Sequence, residues 1–186
     1  MSQSISSKIA NQFGSKKGLL RFVFFGAIQK LGLFNQFKPK DLKKVKRLVY
    51  VCSGNICRSP LGEFVAHAND FPSISFGLHC RGDDPAFSKT LTYGQKQGYP
   101  IEQHRSTNMK DYQPLESDLL IVMEPAHAKE LKELFPNVQQ VLLGFLTDWN
   151  NVYIHDPYNT NVYFFERCMK QISLATERLI RGIREG

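Results

Sequence analysis

The stretch 48-LVYVCSGNICRSPLGEF-64 decides the fold. Apolar and aromatic residues run straight into a cysteine, a Gly-Asn pair, a second cysteine, then Arg-Ser-Pro and an amphipathic run. Residues 47–51 read as a short apolar strand. Residues 59–69 read as a helix with Leu61, Phe64, Val65 and Ala68 on one face. The segment from Cys52 to Ser59 is then the loop that carries the chain from its first strand into a helix.

Working outward, the pattern repeats. A second strand is expected at 73-SISFGL-78 and a helix at 87–97, closed by Gly98. A stronger strand at 118-DLLIVM-123 leads into a proline-started helix, 125-PAHAKELKEL-134. A fourth apolar segment, 138-VQQVLL-143, precedes a long final helix with Phe165, Met169, Ile172, Ala175 and Leu179 at helical spacing. This order predicts a doubly wound α/β domain. Its central, mainly parallel four-stranded sheet is flanked by helices, with a phosphate-binding loop after the first strand.

In open α/β sheets, ligands bind beyond the carboxyl ends of the strands, and the first strand-to-helix loop is the favoured place. Backbone amides at a helix N-terminus, together with the helix dipole, favour an anion there. The Walker pattern is absent, so this is not a nucleotide loop of that kind. What stands here is a cysteine, five residues and an arginine. A field that holds an anion also favours a thiolate, the nucleophilic form of cysteine, which makes Cys52 the candidate nucleophile. Arg58 offers a planar fork that grips two phosphate oxygens. The backbone of Ser53, Gly54, Asn55, Ile56, Cys57, Arg58 and Ser59 would line the anion. Ser59 can donate its hydroxyl to the Cys52 sulfur, and Gly54 and Asn55 tolerate the left-handed backbone that an inward-curling loop requires. The plainer reading makes Cys52 a core cysteine and Arg58 a surface residue.

The segment 52-CSGNICRSP-60 resembles the signature of the low-molecular-weight protein tyrosine phosphatases, and the similarity extends in element order over residues 47–183. It implies a phosphatase domain at 47–186 preceded by a basic amphipathic extension at 1–46. A thiolate displacing an aryl oxygen needs a proton donor, because a phenol has a pKa near ~10. The candidate is Asp156 in 153-YIHDPYN-159, where Pro157 restricts the backbone before it. Asp-Pro alone is an ordinary turn signal. The family's late Asp-Pro-Tyr triplet is what marks Asp156 as general acid and Tyr158 as an aromatic flanking the substrate ring. The resemblance also places Ser75 and His104 beside Asn55 and Ser59 in a network holding the loop. It further implies a reversible protective disulfide between Cys52 and Cys57. No metal or cofactor is called for, and the implied partner is a phosphotyrosine protein, with bacterial members suggesting opposition to a tyrosine kinase in polysaccharide export or biofilm control. The chain departs from the family pattern at Asn159, at 76-FGL-78, and in lacking an aromatic in 78-LHCRG-82. His155 is read as a solvated loop residue rather than a tuner of the pH profile.

Arsenate reductases of the same superfamily use such a loop with two further cysteines downstream. Residues 122–132, where these would fall, contain none. A phosphate- or phosphotyrosine-binding module without turnover would have no need of Asp156.

The whole chain of 186 residues carries a formal charge of +7, but residues 1–47 hold eleven Lys or Arg and one Asp. That segment is therefore +10 and the rest −3, so the basic excess describes the extension's partners and not the domain's. No nucleic-acid recognition module accompanies it. The four cysteines form no disulfide framework and no signal-peptide pattern opens the chain, so the expected setting is a reducing cytoplasm. In 18-GLLRFVFFGAIQKLGLFNQF-37, Leu20, Phe24, Ala27, Ile28 and Leu31 share a helical face, and the basic cluster 38-KPKDLKKVKR-47 follows. The run is too interrupted to span a bilayer. The favoured expectation is a helix packed on the phosphatase domain with a solvated basic linker. Residues 18–47 also suit peripheral attachment at the inner membrane surface, or docking to a partner or a second copy.

Overall fold

The computed structural model describes residues 4–186, so the first three residues of the extension lie outside the described residues. Four strands, β1 (Arg47–Cys52), β2 (Ser73–Gly77), β3 (Asp118–Val122) and β4 (Gln139–Leu142), form one sheet in the order β2-β1-β3-β4, and every pairing is parallel. β1 is central, with its successors on opposite sides. Its carboxyl end is therefore the switch point where chains leave in both directions and a crevice opens.

One face of the sheet is covered by α3 (Arg58–Ala68) and α6 (Val162–Glu185), with Leu48, Tyr50, Leu119 and Ile121 meeting Leu61, Phe165, Met169 and Ile172. On the other face, Val49, Val51, Leu120 and Val122 meet Ala128 and Leu131 of α5 (Pro125–Leu134). Strands buried on both faces explain the continuous apolar runs of the sequence. The helix α4 (Ser88–Gln97) ends at Gly98, whose φ of +76° gives the left-handed stop expected there.

The extension forms two helices, α1 (Ile5–Phe13) and α2 (Lys16–Lys30), capped by Ser4 and Ser15 respectively. α1 is an addition to the expected elements, although Ile5, Ile9 and Phe13 recur at helical spacing. Phe25, Phe34 and Phe37 pack against the core on the α5 side of the sheet. α2 thus rests on the domain, but through Gly18, Phe22, Phe25, Gly26 and Gln29. At Gly18 an added Cβ would lie 2.9 Å from the His155 ring and 2.0 Å from the Phe13 carbonyl oxygen, so only glycine allows that approach. Leu20, Phe24, Ala27 and Leu31, grouped as an apolar face by the sequence, point outward instead.

Candidate active site

β1 delivers Cys52 to the crevice and the chain re-enters a helix at Arg58, leaving five residues to curl between them. Asn55 makes the curl possible. Its φ of +52° lies in the left-handed region, where asparagine is tolerated, whereas Gly54 is not in that region. The Asn55 N–H donates to Cys52 Sγ at 3.3 Å, and Ser59 Oγ lies 3.1 Å from the same sulfur.

The side chain of Asn55 is fully buried and is the hub of the loop. Nδ2 donates to Ser59 Oγ at 2.9 Å and to Ser75 Oγ at 2.8 Å, while Oδ1 accepts from the Thr107 N–H at 2.7 Å. His104 donates from Nε2 to the Asn55 carbonyl at 2.7 Å. Burial lowers the His104 pKa, which suits a neutral ring in that donor role. Ser75 in turn donates to Glu63 Oε2 at 2.5 Å. Gly77 pairs with Cys52 in the sheet, and an added Cβ would lie 3.0 Å from the Asn55 backbone nitrogen. The loop therefore needs a glycine behind it. The structure brings Asn55, Ser59, Ser75 and His104 together as the resemblance implied.

Arg58 is buried, with only 1% of its side chain exposed. Nη1 donates to Glu124 Oε1 at 3.1 Å and to the Ile154 carbonyl at 3.0 Å, and Nη2 faces Asp156 Oδ2 at 3.4 Å. Burial works against its charge, but Asp156, Cys52 and Glu124 outweigh it and the net shift raises its pKa. Its Nε is buried without an acceptor on the protein, among the described residues. A buried guanidinium N–H costs free energy until an oxyanion accepts from it. Arg58 lines a cavity of about 180 Å³ together with Cys52, Ser53, Gly54, Ile56, Cys57, Asp156 and Tyr158. The predicted nucleophile, guanidinium, acid and ring thus share one cleft.

Glu124 and His127 were not singled out by the sequence reading. Glu124 stands just past β3, at the second strand end of the switch point, which was the available signal. His127 Nε2 lies 3.3 Å from Glu124 Oε1, and burial, then Arg58, lowers its pKa to about 3. The ring is therefore neutral and donates to the carboxylate that steadies Arg58.

Asp156 sits at the cleft mouth with 48% of its side chain exposed, and its Oδ1 accepts from the Tyr158 N–H at 3.3 Å. Tyr158 packs on Phe87 with ring centroids 4.6 Å apart, and Phe87 is tied to the phosphate loop by its N–H donating to the Ile56 carbonyl at 2.9 Å. Behind the acid, the extension takes hold. Gln29 Oε1 accepts from the Val152 N–H at 2.8 Å, and Asn151 Nδ2 donates to the Phe22 carbonyl at 2.8 Å. Arg21 donates to Tyr153 Oη at 3.4 Å, Tyr153 Oη lies 2.6 Å from His155 Nδ1, and His155 Nε2 lies 3.3 Å from Ser15 Oγ. His155 is consequently not the solvated residue expected. It is half-buried against Phe164, and burial, then Arg58, lowers its pKa. A neutral ring with its proton on Nε2 satisfies both partners.

Cys57 is a free, buried thiol pushed up to about 12, first by burial. It lies among the residues that line the cleft.

The description "Low molecular weight phosphotyrosine protein phosphatase" belongs to the family model that matches residues 47–186. The Escherichia coli low molecular weight protein-tyrosine-phosphatase Etp is 26% identical over 137 residues, covering 72% of this chain and 92% of its own. The solved Erwinia amylovora tyrosine phosphatase AmsI superposes with a TM-score of 0.64 at 26% identity, covering 74% of this chain and 93% of that one. The Escherichia coli tyrosine phosphatase Wzb, solved in complex with sulphate, also gives 0.64 at 26% identity, over 74% and 98% of the two chains. The extension lies outside the matched residues. With three-quarters of its length matched and the cleft built as described, the chain belongs to the low molecular weight protein tyrosine phosphatase family.

Proposed function

We propose that this chain hydrolyses protein phosphotyrosine through a cysteinyl-phosphate intermediate. The observation that carries this reading is the convergence of Cys52, Arg58 and Asp156 on one small cavity, with Arg58 Nη2 and Asp156 Oδ2 3.4 Å apart. The phosphoryl group seats on the loop amides and the Arg58 fork, and its oxygens satisfy the unpaired Nε. The Cys52 thiolate attacks phosphorus in line. The P–O bond to the phenol breaks with its electron pair, and Asp156 protonates that oxygen. Water then attacks phosphorus, Asp156 takes its proton, and the P–S bond breaks to regenerate the thiolate and release phosphate. Hydroxyl donation by Ser59 and N–H donation by Asn55 stabilise the sulfur as a leaving group. Most of the acceleration comes from oriented charge on the loop and Arg58. The paired rings of Tyr158 and Phe87 offer the substrate phenyl ring an edge to pack on.

The half-exposed Asp156 favours turnover over a pure binding module, since binding has no use for a proton donor at the mouth. The broader role, opposing a tyrosine kinase in polysaccharide and biofilm control, rests on the resemblance to bacterial members. The test is hydrolysis of an aryl phosphate, with chelator present, by the wild type, Cys52→Ser and Asp156→Ala. Cys52→Ser is expected to abolish turnover while retaining phosphate binding. Asp156→Ala is expected to lower kcat by roughly 10²–10⁴-fold, less for a phenol that leaves readily unprotonated. A wild type that binds phosphate without turnover would leave a binding module.

A further inference from the structure

We propose that the outward face of α2 seats the protein on an anionic lipid surface. At 3.6 residues per turn, Leu20, Val23, Phe24, Ala27 and Leu31 fall within an arc of about 100°. Their exposure is unusual for their type: Leu20 72%, Val23 60%, Phe24 57% and Leu31 76%. The opposite side of the helix is already committed to the domain through the Phe22 carbonyl, Phe25 and Gln29. Of the eleven large hydrophobics that are exposed among the described residues, six lie between Ile5 and Leu33. The apolar surface of the protein is therefore concentrated on the extension, in the manner of an interaction site.

Charge selects the occupant. On the same helical projection Lys16, Lys17 and Lys30 fall within or beside the apolar arc, and no acidic residue occurs before Asp41. A second copy of the chain would bring another segment of +10 against this one. An anionic bilayer instead complements it, with leucine and phenylalanine in the interface and lysines on the headgroups. No helix among the described residues is long and apolar enough to cross a membrane, so α2 would lie along the surface. Its inner face holds the segment that carries Asp156, through Ser15, Arg21 and Gln29. Docking would thus place that segment about one helix diameter, ~10 Å, from the headgroups, within reach of phosphotyrosines borne by membrane proteins.

The test uses the full chain and sedimentation with vesicles of phosphatidylcholine alone or with about one-third phosphatidylglycerol. The expected result is salt-sensitive binding to the anionic vesicles and little to the neutral ones. The double variant Leu20→Ser/Phe24→Ser should lose tenfold or more in affinity, on the order expected for removing two interfacial anchors. Lys16→Glu/Lys17→Glu should lose affinity and salt dependence together. Both variants should hydrolyse a soluble aryl phosphate at the wild-type rate, which shows that they fold. Absence of binding to anionic vesicles would overturn the proposal, as would unchanged binding by Leu20→Ser/Phe24→Ser. So would a concentration-dependent dimer in sedimentation velocity that this variant abolishes while vesicle binding persists.

Discussion

The phosphate loop and the acid loop meet at Arg58, yet different parts of the chain fasten them. The phosphate loop is held from within the family domain, by Asn55, Ser59, Ser75, His104 and the close approach of Gly77. Every one of those groups is on or next to the sheet, and the hub is wholly buried. The segment 150–161 is held partly by the domain, where the Ile154 N–H donates to the Met123 carbonyl at 2.9 Å, and partly by the extension. Asn11, Ser15, Arg21, Phe22 and Gln29 all bond into it. On the proposed mechanism, anion binding therefore rests on a rigid core feature, and proton delivery on a loop braced by a segment outside the family match.

Among the groups that fasten the two loops, replacing Asn55 by Ala should do the most damage. Three side-chain hydrogen bonds go, and two buried partners lose their donor, so kcat/KM is expected to fall by roughly 10²–10³-fold with weaker phosphate inhibition. Wild-type phosphate inhibition in this variant would mean the loop holds its shape without its hub. Glu124→Gln comes next, because it strips charge compensation from a buried arginine that touches both loops. Stability should drop by about 1–3 kcal/mol in urea unfolding, and kcat by about tenfold. A rise in KM with kcat unchanged would mean that Glu124 supports the bound substrate and the transition state equally.

The comparison is sharpened by Ser15→Ala and Gln29→Ala, which touch only the brace. Each should lower kcat by about two- to tenfold with KM and phosphate inhibition unchanged, and neither should have any effect in an Asp156→Ala background. An equal effect in that background would make the brace a matter of stability only. Last comes stability against pH, which leaves the rate comparison untouched. His104 and His127 are held neutral by burial in the native state but protonate near 6.5 when unfolded. Their contribution is full above 6.5 and is lost as pH falls toward the native values, to about 3 for His127. Stability should decline with acid over that window by up to about 1.4 kcal/mol per pH unit per histidine. His104→Asn should reduce the slope by one histidine's share, seen by urea unfolding at pH 7.5 and pH 5.

The strands and helices of the domain were legible because their signals are local. Apolar runs, a proline at the start of α5 and Gly98 at the end of α4 each act within a few residues. The phosphate loop was legible for the same reason, since Cys52 to Ser59 is a single continuous turn and the amides that matter are neighbours in sequence. Only the role of Gly54 differed, because Asn55 alone takes up the left-handed turn.

Other features required the fold. Asp-Pro-Tyr says that a turn occurs, while the meeting of Asp156 with Arg58 joins residues 98 apart in the chain and is set by how β1, β3 and α6 pack. Glu124 and His127 matter only because β3 lies beside β1. The sequence by itself determined the sheet, the loop from Cys52 to Ser59 and the helical spacing of the Leu20–Leu31 stripe, but α2 is apolar on its other side as well, through Phe22 and Phe25. Tertiary structure decided which face of α2 meets the domain. An apolar stripe reports that a helix has a side suited to burial; glycines at 18 and 26 and a glutamine able to pair with Val152 supplied a closer fit on the other side, leaving the stripe free.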